Sequence, residues 1–250
     1  MIFKQLFEPE SSTYTYLISC GNTGKTVLID PVIETAERDI EVVRSLGLKV
    51  DYTLDTHIHA DHITGALKLK HLAGSQICGP ALDGLPCTDI GVREGEPFRV
   101  GTIEIHPLFT PGHTDTHHAY LIDHGGLKLL FSGDALLIEA CGRTDFQSGD
   151  AHALYRSIHE KFFTLPDETL VYPAHDYEGR HITTIAQEKQ RNPRLGNDRS
   201  EAEFVEIMHG LDLPYPRKID ISLPGNQLCG QCPESIPEGL RGPCDFRDQG

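Results

Sequence analysis

Short apolar runs bounded by turn residues fill the first half of the chain and predict β-strands. Residues 14–18 and 26–29 are two such runs, and residues 21–24 between them have the composition of a hairpin turn. Residues 52–55 form a third run just before a polar stretch. In residues 102–106 apolar and polar positions alternate, which is typical of a half-buried strand.

The remainder of the chain mixes strands with helices. We predict further strands at 119–122, 127–131 and 170–172, and helices at 35–46, 62–72, 151–163, 182–190 and 201–209. Proline, glycine and charge dominate from residue 213 on, so we expect this end to wrap the surface or to be partly disordered. The order indicates an α/β protein with sheets covered by helices, and it leaves a doubly wound sheet and a sandwich of two sheets open.

Length and composition favour one main domain. A chain of 250 residues with 38% hydrophobic residues can bury a large core. We expect a catalytic domain over 1–228 and a tail rich in cysteine, proline and glycine over 229–250. No apolar run reaches the roughly 18 residues of a membrane span, and residues 1–6 lack the features of a leader sequence. We therefore expect a cytoplasmic protein with no membrane partner.

The net charge of −15 narrows the choice of partners. Nucleic-acid binding requires a basic face, so we expect no nucleic-acid partner. An anionic small substrate would need a few local arginine or lysine side chains to hold it.

The cysteines do not predict a disulfide framework. Their number is odd and their density is low, so we expect most of them to be reduced. Cys229 and Cys232 form a lone CxxC, which we take as part of a tail without special function rather than a redox pair or, least of all, a zinc site.

A dense group of metal-ligand candidates follows the strand predicted at 52–55. His57, His59, Asp61 and His62 lie within six residues of one another. Imidazole and carboxylate groups are costly to bury, and a metal ion offsets that cost. The run therefore predicts one or two transition-metal ions on a loop at a strand end.

Three more candidates follow apolar strands in the same way. His113 stands in Thr-Pro-Gly-His-Thr, Asp134 in Ser-Gly-Asp, and His175 in Pro-Ala-His-Asp. Small or turn-forming residues precede each of them, which lets the backbone turn sharply and approach a shared site.

The motifs HxHxDH, PGHT, SGD and PAH, in this order, resemble the metallo-β-lactamase superfamily over roughly residues 10–195. The resemblance implies an αββα sandwich of two mixed sheets flanked by helices, with the metal site at one edge of the sheets. In the dinuclear hydrolases of this superfamily, such as glyoxalase II, one metal is held by His57, His59 and His113, the other by Asp61, His62 and His175, and Asp134 bridges them.

The residues around the motifs resemble a different branch, the persulfide dioxygenases, almost to the end of the chain. The matching segments are Cys141-Gly142-Arg143-Thr144-Asp145-Phe146-Gln147, Tyr172-Pro173-Ala174-His175-Asp176-Tyr177 and Asn192-Pro193-Arg194-Leu195. This resemblance implies one Fe(II) per chain on His57, His113 and Asp134, an arrangement that leaves three coordination positions for O₂ and substrate. The other ligand candidates, namely His59, Asp61, His62 and His175, would orient ligands and hold waters.

The expected activity is the oxidation of glutathione persulfide by O₂ to sulfite and glutathione, in sulfur metabolism. Arg143 is the expected clamp for the glutathione carboxylates, and Tyr177 is a candidate hydrogen-bond donor to substrate. Further candidates for substrate binding are Arg180, Arg194 and Arg217.

Two other functions stay open. A hydroxyacylglutathione hydrolase of the glyoxalase II type would hold two metals and act without O₂. A metal-binding or redox-sensing scaffold would turn over neither substrate. A homodimer is the prior expectation for such an enzyme, and a sulfurtransferase, where one takes part, is expected on a separate chain.

Overall fold

Two six-stranded sheets organise the described part of the chain. The computed structural model describes residues 1–234 and Cys244. One unit comprises residues 1–92, 100–103 and the described residues from 215 onward, and a second comprises 93–99 and 104–214. Of the tail predicted at 229–250, residues 235–243 and 245–250 lie outside the described residues.

The sheet of the first unit is mixed. Its strands are β1 (Ile2–Glu8), β2 (Thr13–Ser19), β3 (Thr26–Ile29), β4 (Tyr52–Leu54), β5 (Gln76–Pro80) and β6 (Ile90–Val92). β1, β2 and β3 pair antiparallel, which confirms the predicted hairpin, and β3 to β6 pair parallel. Parallel neighbours need a crossover connection, and the helices α1 (Ala36–Ser45) and α2 (Ala66–Ala73) supply the first two.

Apolar side chains join this sheet to its helices. Leu17 of β2 and Leu28 of β3 pack against Ile40 and Val43 of α1 and Leu69 of α2, and all five are at most 4% exposed. Burial of each such side chain contributes about 1.5–3 kcal/mol. The contacts fix the strand ends from which the His-rich loop departs.

The sheet of the second unit is also mixed. In chain order its strands are β7 (Phe98–Val100), β8 (Ile103–Phe109), β9 (His118–His124), β10 (Leu127–Gly133), β11 (Leu170–Pro173) and β12 (Thr183–Thr184). β10 and β11 pair parallel, whereas β8–β9, β9–β10 and β11–β12 pair antiparallel. The helices of this unit are α3 (Ala151–Ser157), which continues as a π-helix over Ile158–Phe162, α4 (Ile185–Arg191) and α5 (Glu201–His209). Their buried residues, including Leu154, Ile158 and Phe204, pack in one core with Leu130 and Val171 of the sheet.

The structure departs from the sequence prediction in three elements. The helix predicted at 62–72 begins only at Ala66, because Thr64 turns its hydroxyl onto the Asp55 carboxylate, 2.9 Å away, and the loop continues to that point. The strand Ile2–Glu8 was not predicted. A helix, α6 (Ile219–Asn226), forms in the proline-rich end of the chain although Pro224 is a poor helix former.

None of the helices in residues 1–234 is long and apolar enough to cross a membrane.

The expectation that most cysteines are reduced is wrong. Disulfide bonds join Cys87 to Cys229 and Cys232 to Cys244. The two cysteines of the CxxC therefore pair with distant partners and not with each other, and sequence spacing cannot show such a pairing. The bonds also count against the expected cytoplasmic location, since thiols of cytosolic proteins are normally kept reduced.

The bond between Cys87 and Cys229 should stabilise the fold measurably. Replacing both cysteines by alanine is expected to lower the free energy of unfolding by about 2–5 kcal/mol, because the bond spans 142 residues and restricts the unfolded chain. Urea unfolding in non-reducing buffer measures the change. The matched control is the double alanine variant of Cys232 and Cys244, which are 12 residues apart and should contribute less. Equal stability of wild type and the first variant would contradict the prediction.

Candidate metal centre

Three buried histidines lie on the loop that follows β4. The side chains of His57, His59 and His62 are at most 1% exposed. The ring centroids of His57 and His59 are 4.2 Å apart, and those of His59 and His62 are 4.3 Å apart. Asp61 is partly exposed, and it offers a ligand atom within 4.8 Å of those of His59 and His62. The loop thus gathers the whole HxHxDH motif within the first unit.

Asp30, which follows β3, holds this loop in place. Its carboxylate accepts hydrogen bonds from the backbone N–H of Thr56 at 2.7 Å and from the Thr56 hydroxyl at 3.0 Å. The same carboxylate lies 3.1 Å from Nε2 of His59. Because β3 and β4 are parallel neighbours, the residues that follow them meet at one edge of the sheet.

One ring nitrogen of each loop histidine is held by a neighbouring group. Nδ1 of His57 lies 2.9 Å from the Thr56 hydroxyl, and Nδ1 of His62 lies 2.9 Å from a carboxylate oxygen of Asp61. Nε2 of His59 is held by the carboxylate described above. Such contacts fix the tautomer and the orientation of a metal-binding imidazole. The opposite ring nitrogens are Nε2 of His57 and His62 and Nδ1 of His59.

The second unit gathers the other three predicted ligands. His113, Asp134 and His175 are at most 8% exposed. Nε2 of His113 lies 3.4 Å from Oδ2 of Asp134, and Nε2 of His175 lies 3.4 Å from Oδ1 of the same residue. Nδ1 of His113 lies 2.8 Å from the carbonyl oxygen of Arg143, to which it donates. Asp134 thus stands between two imidazoles.

Glycines make the sharp turns that bring two of these ligands into place. Gly112, just before His113, has φ +138°, and its missing Cβ would collide with the backbone of Leu154. Gly133, just before Asp134, has φ +55°. Residues with a side chain rarely adopt such angles, so the predicted role of small residues before the ligands is confirmed at both positions.

The arrangement of polar atoms fits a metal ion. Nδ1 of His59 and Oδ1 of Asp134 are buried, and neither has a hydrogen-bond partner among residues 1–234 and Cys244. A buried polar atom without a partner costs about 1–3 kcal/mol. A cation at each of these atoms would satisfy its lone pair, and imidazole with carboxylate is a donor set that suits first-row transition metals.

The field on the loop is strongly negative. Burial lowers the pKa of the His59 imidazole, but the carboxylates of Asp30, Asp55 and Asp61 outweigh burial and raise that pKa to about 10. The same negative charge that retains a proton attracts a metal cation. Because a ligating imidazole must be neutral, metal binding at His59 displaces a proton.

The side chain of Arg143 contacts Asp145, Pro214 and Phe146. Its Nε and Nη2 donate to the two oxygens of Asp145 at 2.7 Å each, and Nη1 donates to the carbonyl oxygen of Pro214 at 2.9 Å. Its guanidinium carbon lies 4.5 Å from the centre of the Phe146 ring. The side chain therefore presents the two-pronged geometry that binds a carboxylate, and its own carbonyl holds His113.

The other predicted substrate residues differ in their surroundings. Tyr177 is 73% exposed and stacks on His175 with ring centroids 6.2 Å apart. Arg180 donates to Asp176, Glu139 and the carbonyl of Ile138, which makes it a structural link between two loops. Arg194 donates to the carbonyl of Cys141 at 2.9 Å, and Arg217 is exposed in the first unit.

Sequence reasoning missed two residues that serve these groups. His117 is not among the predicted site residues, but it is fully buried, and its Nε2 accepts the backbone N–H of Asp134 at 3.2 Å. Asp30 follows the apolar strand β3 in the same way as the predicted ligands follow theirs, and that signal could have found it. No comparable local signal precedes His117.

Replacing Asp30 by asparagine should weaken metal binding about 10- to 100-fold, because the amide cannot accept from the Thr56 amide, its hydroxyl and His59 as the carboxylate does. Competition with a colorimetric chelator under anaerobic conditions measures the affinity for Fe(II). Asp39→Asn is the matched control, since Asp39 is an equally buried carboxylate on α1 that pairs with Arg38. An affinity unchanged in Asp30→Asn would show that Asp30 does not orient the loop.

Comparisons with known proteins agree with this geometry. The metallo-beta-lactamase superfamily matches residues 9–175. The mitochondrial persulfide dioxygenase ETHE1 of Mus musculus is 46% identical over 237 residues, which are 94% of this chain and 91% of the mouse protein. The crystal structure of ETHE1 from Myxococcus xanthus has 48% identity and a TM-score of 0.88, and the match covers 92% of this chain and 100% of that one.

A hydrolase relative is more distant. The hydroxyacylglutathione hydrolase of a Polaromonas species is 38% identical over 187 residues, which are 70% of this chain and 66% of that protein. The expected fold of two mixed sheets flanked by helices is confirmed by the superfamily match and the Myxococcus structure. The chain therefore belongs to the metallo-β-lactamase superfamily and, within it, to the persulfide dioxygenases.

Proposed function

We propose that this chain oxidises glutathione persulfide with O₂ and releases sulfite and glutathione. Sulfite receives two oxygen atoms from O₂ and one from water, and the sulfur–sulfur bond of the persulfide breaks. The observation that carries the proposal is the similarity to persulfide dioxygenases over 94% of the chain. As a dioxygenase, the enzyme is an oxidoreductase.

The proposed cofactor is one Fe(II) per chain, held by His57, His113 and Asp134. When bound, Fe(II) supplies open coordination positions and the electrons for O₂ chemistry. The chain's own residues hold the ligands: the Arg143 carbonyl orients His113, and His117 orients the backbone at Asp134. Support comes from the buried lone pair of Asp134 and from the imidazole nitrogens on either side of its carboxylate.

The remaining motif residues are proposed to shape the centre. His59, Asp61, His62 and His175 are buried or half-buried beside the ligands of their own units. The contact of 2.9 Å between Asp61 and His62 engages one oxygen of this carboxylate with a protein group. These residues would orient ligands and keep ordered waters near the substrate sulfur.

Arg143 is the proposed clamp for a glutathione carboxylate, and Tyr177 is the proposed hydrogen-bond donor to the substrate. The two parallel contacts of Arg143 with Asp145 have the geometry that a substrate carboxylate would take over. A cationic clamp is needed because the net charge of −15 otherwise repels an anionic thiol. Arg180, Arg194 and Arg217 stay further candidates, although the first two support loops.

Thioester hydrolysis of the glyoxalase II type is the alternative, favoured by the 38% identity with the hydroxyacylglutathione hydrolase. It requires a second metal on Asp61, His62 and His175 and no O₂. Metal content and O₂ dependence separate the two functions.

We also propose a cytoplasmic homodimer that receives persulfide from a separate sulfurtransferase. The two disulfide bonds are unusual for a cytoplasmic protein. Fractionation of cells tests the proposed location directly.

The iron-loaded protein should consume O₂ when glutathione persulfide is added, with sulfite formed in equal amount. The protein is first loaded anaerobically with about one Fe(II) per chain. An oxygen electrode and a sulfite assay then follow both quantities in buffer that contains O₂. His113→Ala should abolish the reaction because it removes a proposed ligand. Absence of O₂ uptake by folded, iron-loaded wild type would exclude this reaction, and thioester hydrolysis by a zinc-loaded form would then be tested.

Arg143→Ala should raise KM for glutathione persulfide about 10- to 100-fold, because a hydrogen bond between charged groups contributes about 1.5–3 kcal/mol. A smaller change in kcat is expected, since the clamp holds the carrier and not the reacting sulfur. The matched control is Arg156→Ala, whose guanidinium pairs with Glu201 at 3.1 Å on the surface. A persulfide without carboxylates should be oxidised equally by wild type and Arg143→Ala; a loss of activity toward both substrates would argue for a structural role.

A further inference from the structure

Asn226, the last residue of α6, bonds the His-rich loop with every polar atom of its side chain. Nδ2 donates to the carbonyl oxygens of His59 and His62, each at 2.8 Å. Oδ1 accepts from the backbone N–H of Thr64 at 2.9 Å. The residue is 3% exposed, so water does not compete for these groups.

The loop needs such a partner because it forms neither strand nor helix. Buried backbone groups must find hydrogen bonds, and apart from the isolated bridge between Thr64 and Val32 no sheet or helix ladder supplies them between His57 and Thr64. The two carbonyls bound by Asn226 belong to residues whose side chains are ligand candidates. Their orientation sets the direction in which the imidazoles of His59 and His62 leave the backbone.

The segment that carries Asn226 is itself anchored. The disulfide bond to Cys87 fixes Cys229, three residues further on. The carbonyl of Cys229 accepts the backbone N–H of Leu67 at 3.1 Å, within the first turn of α2. The side chain of Asn226 is thus held from both sides against the loop, and its hydrogen bonds require little ordering of the chain on metal binding.

We infer that Asn226 is a positioning residue for the metal site: it holds the backbone of the His-rich loop so that His57 meets the metal, with His59 and His62 in place beside it, without rearrangement. The inference rests on the metal-binding role that the proposed function gives to this loop. It assigns a task to α6, a helix that the sequence did not predict.

A purely space-filling role makes a different prediction. Aspartate has the shape of asparagine, so it would fill the space equally well. In Asn226→Asp the acceptor for the Thr64 amide is kept, but a carboxylate oxygen faces the carbonyls of His59 and His62 and both donors are lost. Hydrogen bonding and packing are therefore separable at this position.

The experiment measures the affinity of the full chain for Co(II), together with the visible absorption of the bound ion, which reports its ligand geometry. Asn226→Ala and Asn226→Asp should each raise the Kd for Co(II) about 10- to 100-fold and shift the absorption bands. Asn226→Ser, which keeps one donor, should lie between them and wild type.

Asp51→Ala is the matched control for lost stability. Asp51 is also buried in the first unit, and it accepts from the Thr26 amide and the Lys25 ammonium, but it precedes β4 whereas the His-rich loop follows it. Its variant should lose stability and keep the Co(II) affinity and spectrum of wild type. Urea unfolding of each variant relates affinity to the folded fraction.

Wild-type affinity and spectrum in Asn226→Asp would overturn the inference. Where no Asn226 variant folds, hydrogen exchange of the wild-type Thr64 amide decides: strong protection supports the contact, and exchange at an unprotected rate overturns it. Co(II) binding without persulfide oxidation would remove the proposed reaction and leave the role of Asn226 standing. Failure of wild type to bind Co(II) would overturn both.

Discussion

The burial of polar ligands is the constraint on which the rest of this structure depends. Three imidazoles on one loop are withdrawn from water, and each has two nitrogens that need partners. The chain satisfies one nitrogen of each ring with Thr56, Asp30 or Asp61. These contacts fix the orientation of each ring on the loop before any metal binds.

Strand ends make this arrangement feasible. The predicted ligands all lie in loops that follow strands, where backbone groups are released from the sheet but the sheet itself stays rigid: His57 after β4, His113 after β8, Asp134 after β10 and His175 after β11. A loop fixed at its root still has unsatisfied backbone groups further along. In the His-rich loop, the side chain of Asn226 meets that need from a distant part of the chain.

Features with a local sequence signal could be predicted, and features that depend on distant contacts could not. The hairpin of β2 and β3, the helix α1 and the four ligand motifs could be predicted because their signals are local. The roles of His117 and Asn226 could not be predicted, because they arise from contacts made across the fold. His117 bonds Asp134, 17 residues away, and Asn226 bonds His62, 164 residues away. The disulfide between Cys87 and Cys229 could not be predicted for the same reason, and the low density of cysteines along the chain favoured reduced thiols.

The segment around Arg143 shows how a shared ligand set can serve different chemistry. The carbonyl of this residue orients His113, while its guanidinium donates to both oxygens of the Asp145 carboxylate. A change at Arg143 therefore alters the support of His113 and the ion pair with Asp145 together. Ligands alone do not separate dioxygenases from hydrolases, since both keep the same histidines and aspartates. The residues that support the ligands must carry the difference, and Arg143 is one of them in this chain.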